Sequence, residues 1–476
     1  MAGVPTGRGC DACRKQKKKT DNTIKCDQAK PACARCARLK IPCTGSGVQR
    51  FMFKSENSQA AGKRSRALVP VNTGSPPSPG PSNEQSSMTG ELVHIIELQD
   101  TGYDVSTYGW FVKDLPRHIG SSPPLDAAIK AFVASFNVLR NKALEVNALD
   151  RYVYALKSLR ESMQDPKQAT SSDNMCSIYL VSICQEWMGN TGENAKHNEV
   201  LMHLLKRAVL DSNLDPSNRH FMQTIFGVVV IESYSNPNVE LGPWFWQAMT
   251  ILGKSTRPLK SGDGTSFACL DVGTMGEVSY FIRDPDRYLY QIRCTYSLLQ
   301  HEHPRLIPAV EAAVANAKRP EATSLERRWG IRFQAAHAVT LTLAIILNRI
   351  MQSYDDDTAL RLDAERYCDE VIELAKSASF NRPIAASSMA TPLSIAYASM
   401  GDYRKSELKT LLMEYQSDFP GMNYVGDSAV IKAGFENVER RNRNRVRLQE
   451  LQDAGNFNTE SDIMEIVDDG PGCIIL

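Results

Sequence analysis

Residues 10–43 read CDACRKQKKKTDNTIKCDQAKPACARCARLKIPC. Half of the chain's 12 cysteines stand in this stretch: Cys10, Cys13, Cys26, Cys33, Cys36 and Cys43. Their spacing is C-x2-C-x12-C-x6-C-x2-C-x6-C. Two CxxC pairs, each trailed by a third cysteine, make one unit used twice. A basic run, Arg14, Lys15, Lys17, Lys18 and Lys19, follows the first pair directly. One interval breaks the repeat: twelve residues separate Cys13 from Cys26, where the second half has six.

Cysteines this dense hold either disulfides or metal. The opening residues, MAGVPTGRGC, carry no apolar core of a secretory signal. The longest apolar run, Ala338 to Leu347, includes Thr340 and Thr342 and reads as a buried helix rather than a membrane span. The expectation is an intracellular chain with reduced thiols, and hence metal. One tetrahedral zinc takes four ligands, which six thiolates exceed. Two zinc ions are satisfied by six thiolates if two of them bridge. The pseudo-symmetry points to the leading cysteine of each half, Cys10 and Cys33, as the bridges.

That arrangement resembles the binuclear cluster of the fungal Zn₂Cys₆ transcription factors, through CDACRKQKKK and CDQAKPACARCARLKIPC. The resemblance implies that Cys13 and Cys26 complete one zinc site, and Cys36 and Cys43 the other. Pro31 falls where the family places a proline between the two halves. It further implies that Arg14 to Lys19 form a short helix facing DNA, with Lys17 on the guanines of a CGG triplet, where N7 and O6 are adjacent acceptors. Gln16 departs from a position that is often basic in the family; it suits adenine or phosphate. The plainer alternative is that the lysines touch only phosphate, which gives affinity without sequence choice. We expect base contact from Lys17, and phosphate or solvent for Lys15, Lys18 and Lys19.

Charge agrees with this division. The whole chain carries a net charge of only +1, but residues 1–66 carry +12 and the remainder −11. A basic module joined to an acidic one is the pattern of a nucleic-acid-binding arm on a domain that avoids nucleic acid.

Removing Thr20 to Lys25 (TDNTIK) would restore the family spacing. These residues are either a real loop or the remnant of a misplaced splice junction. Doubling a loop costs only about 0.6 kcal/mol in closure entropy, so the cluster is expected to form in either case.

Beyond the cluster, assigned to residues 1–47, residues 48–90 read as a disordered linker, rich in Ser, Pro, Gly, Asn and Gln and culminating in TGSPPSPGPSNEQSS. It contains a small basic cluster at 63–66, suited to nuclear import, and two Ser-Pro dipeptides at Ser75 and Ser78. Glu91 to Asp100 offers only Leu92, Ile95 and Ile96, too little for the dimerising coiled coil of many relatives. A homodimer is left open.

Residues 91–455 read as an all-α regulatory domain, making the chain mainly α overall. Helical apolar spacing marks Ala127–Leu139, Leu149–Met163, Met175–Met188, Glu199–Val209, Ile331–Met351, Leu360–Ala375 and Tyr403–Tyr415, and Pro123-Pro124 marks a helix start. Through Leu115-Pro116 and the segments Tyr152–Leu159 and Asp173–Trp187, this part is similar to the regulatory domain of a subset of the same family. No Walker A, GxGxxG, HExxH or GxSxG signature appears, so an enzyme is not expected. His301 with His303, and His197 with His203, have no carboxylate or cysteine at ligand spacing and read as structural or surface residues. Cys176, Cys184, Cys269, Cys294 and Cys368 read as buried free thiols, and Trp244, Phe245 and Trp246 as core packing rather than the lining of a ligand pocket.

Residues 456–476 form an acidic tail. Phe457 to Asp469 reads equally as a short activation segment or a frayed end. The last four residues, Cys473-Ile474-Ile475-Leu476, fit a prenylation box, but the acidic residues before it lack the basic partner signal of such anchors. The expectation is a nuclear, DNA-binding transcription regulator with two structural zinc ions, double-stranded DNA and coregulators as partners, and no membrane unless Cys473 is prenylated. The rival expectation is a scaffold whose cluster no longer reads DNA.

Overall fold

Apolar residues at helical spacing dominate the chain, and the structure, a computed structural model, turns them into helices. It describes Cys10, Ala12, Cys13, Cys26, Asp27, Ala29 and residues 32–43, 83–189, 197–214, 218–253 and 258–453. The chain divides into two units, Met1–Ser78 and Pro79–Leu476. The N-terminal unit contributes one short helix, α1 (Ala34–Arg38), among its described residues.

In the second unit the main helices are α2 (Glu84–Ile96), α3 (Pro123–Asn141), α4 (Val146–Ser162), α5 (Ser172–Met188) and α6 (His197–Leu210). Then come α7 (Arg219–Glu232), α8 (Pro243–Leu252), α9 (Val272–Arg283), α10 (Pro285–Ala317) and α11 (Ser324–Gln352). The last are α12 (Thr358–Ala378), α13 (Ala390–Ser399), α14 (Lys405–Gln416) and α15 (Tyr424–Asp453). Among the described residues the only β pairing is one isolated bridge, Lys260 with Ser266. The mainly α expectation holds.

Several helix boundaries follow local chemistry. Pro123 and Pro124 open α3, where the missing N–H costs nothing, and the Ser122 hydroxyl accepts the Leu125 N–H. Gly189 ends α5 with φ +67°, a left-handed turn that glycine adopts without strain. Thr323 and Glu326 form a reciprocal capping box at the start of α11.

The core begins where α3 and α5 pack face to face, with α4 also against α3. Phe132, Phe136 and Trp187 meet there with ring centroids 4.8–5.9 Å apart. The Trp187 indole N–H donates to the Tyr108 hydroxyl at 2.9 Å, so its polar edge is satisfied inside the core. The second half is built on α10, α11 and α12, with α13 across α11 and α15 across α13. By length and composition α11 is apolar enough to cross a membrane, yet 78% of its most apolar window is buried within this domain. That matches its reading as a core helix.

Three readings are corrected. The segment read as linker up to residue 90 is helical from Glu84, because Asn83 caps the Gln85 N–H and Met88, Leu92 and Ile95 make a buried i, i+4, i+7 stripe. This stripe packs on α3 within the same domain. Cys294 is exposed on α10 rather than buried, whereas Cys176, Cys184, Cys269 and Cys368 are buried free thiols as expected. Trp246 is 39% exposed and stacks on Tyr280, while Trp244 and Phe245 do lie in the core.

Candidate metal centre

Among the described residues of the cysteine-rich unit, the buried ones are cysteines. Cys10, Cys13, Cys33 and Cys36 are enclosed, with Cys26 and Cys43 at the rim. The repeated sequence unit becomes a repeated hydrogen-bond unit. The Cys10 Sγ accepts the Cys13 N–H at 3.5 Å, and the Cys33 Sγ accepts the Cys36 N–H at 3.4 Å. The Cys10 N–H in turn reaches the Cys26 Sγ at 3.4 Å, and the Cys33 N–H reaches the Cys43 Sγ at 3.4 Å. Each half thus folds the same way: the leading cysteine takes a proton donor from its CxxC partner and gives one to its trailing cysteine. Backbone N–H groups aimed at sulfur favour thiolate over thiol. Asp27, just after Cys26, receives the Ala34 N–H at 3.2 Å on both carboxylate oxygens and so ties the first half to the start of α1.

The sulfur atoms fall into two overlapping sets of four. Cys10, Cys13, Cys26 and Cys33 form one, and Cys10, Cys33, Cys36 and Cys43 form the other, each with all its sulfurs within 4.8 Å of one another. Only Cys10 and Cys33 belong to both. Their sulfurs are 3.7 Å apart, with Cys10–Cys36 at 3.6 Å and Cys13–Cys33 at 3.8 Å. A tetrahedral zinc with Zn–S bonds of about 2.3 Å has sulfur–sulfur edges of about 3.8 Å. The three spacings are those of zinc tetrahedra, and the shared pair is their common edge. This is a binuclear zinc cluster site.

Burial and the neighbouring thiols push Cys13 up to about 12 and Cys36 higher still. Two divalent cations bound among these sulfurs would supply the charge that turns such thiols into thiolates. Thiolates then fill every slot around both ions, so zinc serves to hold the two halves together and has no open position for catalysis.

The six cysteines come together in the sets inferred from the sequence. Cys26 takes its place despite the twelve-residue interval before it. The basic residues assigned to DNA, Arg14, Lys15, Gln16, Lys17, Lys18 and Lys19, lie outside the described residues, as do Thr20 to Lys25, Pro31 and Cys473. No protein-family model matches the chain, and no curated protein and no solved structure is found to be similar to it. The likeness to the fungal Zn₂Cys₆ fold rests on the cysteine pattern and on this geometry.

Elsewhere the histidines separate into different roles. His301 is exposed and His303 is 1% exposed, so the HxH pair does not act as a unit. His197 is half-buried with its ring 3.5 Å from the Tyr152 hydroxyl, and His203 is exposed. The His303 ring meets two groups that sequence reasoning missed, His337 and Glu370.

Proposed function

We propose that this chain is a sequence-specific transcription regulator that binds double-stranded DNA through its N-terminal binuclear zinc cluster. The observation that supports it most is the pair of cysteine sets sharing Cys10 and Cys33, with a run of five Lys and Arg residues starting right after Cys13. Cys13 and Cys26, which stand on either side of that run in the sequence, belong to the same ligand set. Lys17 reads guanine in a CGG-like half-site, and the remaining cations of the run contact phosphate. The net charge of +12 over residues 1–66 steers the module to DNA, and the acidic remainder keeps the helical domain off it. The helical domain recruits coregulators, and the protein works in the nucleus.

The test is equilibrium binding of the zinc-loaded full chain to duplexes with and without CGG triplets. CGG-containing DNA should be preferred, and Lys17→Ala should cost about 1–3 kcal/mol on it while leaving weaker, unselective binding. Equal losses on specific and random DNA would show that Lys17 contacts only phosphate. Absence of binding by the zinc-loaded chain, restored by deleting Thr20 to Lys25, would mark the protein as written as an interaction module rather than a DNA reader.

A further inference from the structure

We infer that His303, His337 and Glu370 form a third metal site, separate from the cysteine cluster and suited to a divalent transition cation of the zinc class. The three side chains come from three successive helices, α10, α11 and α12, and converge on one point. The His303 Nε2 is 2.8 Å from the Glu370 Oε2, and the His337 Nε2 is 3.3 Å from the same oxygen. The two Nε2 atoms are 3.3 Å apart. A tetrahedral ion with bonds of about 2.0–2.2 Å to nitrogen and oxygen has ligand–ligand edges of about 3.3–3.5 Å. Two of the three edges already have that length. The third opens by about 0.5 Å with a small rotation of the Glu370 side chain, an ordinary excursion for a partly exposed carboxylate.

The surroundings fit a ligand set. His303 and His337 are buried, while the Glu370 side chain is 22% exposed, so the site has a solvent edge through which an ion exchanges. The other carboxylate oxygen, Oε1, faces the Arg366 guanidinium at 3.8 Å, which leaves Oε2 to the metal and fixes the carboxylate plane. Arg366 is itself held by Asp363 at 2.6 Å, so its charge is balanced. The Tyr367 ring packs edge-on to His303 with centroids 5.7 Å apart and limits its rotation. Two imidazoles and one carboxylate favour zinc and its first-row neighbours over calcium or magnesium, which take oxygen ligands. Three protein ligands leave a fourth position for water or a small anion. Bound metal would fasten the three helices that carry the second half of the domain, with stability depending on metal concentration.

The experiment is a Co²⁺ titration of the metal-stripped full chain, followed by its visible spectrum. Cobalt on the cysteines gives intense thiolate charge-transfer absorption; cobalt on His303, His337 and Glu370 gives only weak visible bands without it. We expect a further equivalent of this second type, retained in Cys33→Ala and weakened at least tenfold in Glu370→Gln and in His337→Ala. Zinc should raise the melting temperature of the wild-type helical signal more than that of Glu370→Gln. A wild-type titration with no equivalent lacking thiolate absorption overturns the inference without recourse to any variant. So does an equivalent of that type that binds unchanged in both variants.

Discussion

At the scale of single residues, the six cysteines are not interchangeable. Cys10 and Cys33 stand in both ligand sets, and the other four in one each. The sequence carried this distinction, because a repeated C-x2-C unit has a leading cysteine in each half. Other residues gave no such signal. Glu186 looks like an ordinary acidic residue near the end of an apolar helix, yet burial, aided by the nearby Glu232 carboxylate, pushes it up to about 7. A carboxyl whose folded pKa lies above its unfolded value binds its proton more tightly when folded. Its stabilising effect is complete below about pH 4.5 and is lost as pH rises through about 7. Glu186→Gln removes this dependence. The variant should match the wild type near pH 4.5 and exceed it by on the order of 1–3 kcal/mol at pH 8. Thermal melts of both proteins across that range check it; a difference that stays constant with pH would contradict the burial of an ionisable Glu186.

At the scale of elements, the periodic helices were legible and the irregular ones were not. The helices α3, α4, α5, α6, α11, α12 and α14 carry apolar residues at helical spacing, and the pattern located them, although α11 begins seven residues before the Ile331 read from the sequence. The helix α10 was missed because Pro304 and Pro308 lie inside it, and proline ordinarily ends a helix. Its burial against α11 outweighs the lost hydrogen bonds. The helix α2 was hidden by the Ser- and Pro-rich composition of the segment before it, although Asn83 and the Met88, Leu92, Ile95 stripe were present. The helix α13 is apolar nearly all round and shows no face to find, being enclosed by α11 and α15. The start of α11 offers a direct test of local control. Thr323 Oγ1 accepts the Glu326 N–H at 3.2 Å, and the Glu326 carboxylate accepts the Thr323 N–H at 2.8 Å. Thr323→Ala should destabilise the helical domain by about 1 kcal/mol, measured by urea denaturation. A change below a few tenths would show that packing against α10 alone fixes where α11 begins.

At the scale of the whole molecule, the chain divides its physics in two. Among its described residues the N-terminal unit buries cysteines, and the order of that cluster depends on metal charge and thiolate geometry. The helical unit rests on one large apolar core and on helix caps. The first kind of order was legible because ligand spacing is a short-range property of the chain. The second kind hid its most unusual feature, since His303, His337 and Glu370 are brought together only by the packing of three helices. No local window of sequence contains that triad.

The shared thiolates are the claim on which the rest depends, and cadmium exchange tests them most directly. The full chain, loaded with ¹¹³Cd in place of zinc, should show two thiolate-coordinated cadmium resonances. These should be scalar-coupled to each other through the sulfurs of Cys10 and Cys33. A single thiolate resonance, or two without mutual coupling, would contradict a cluster in which two metals share an edge.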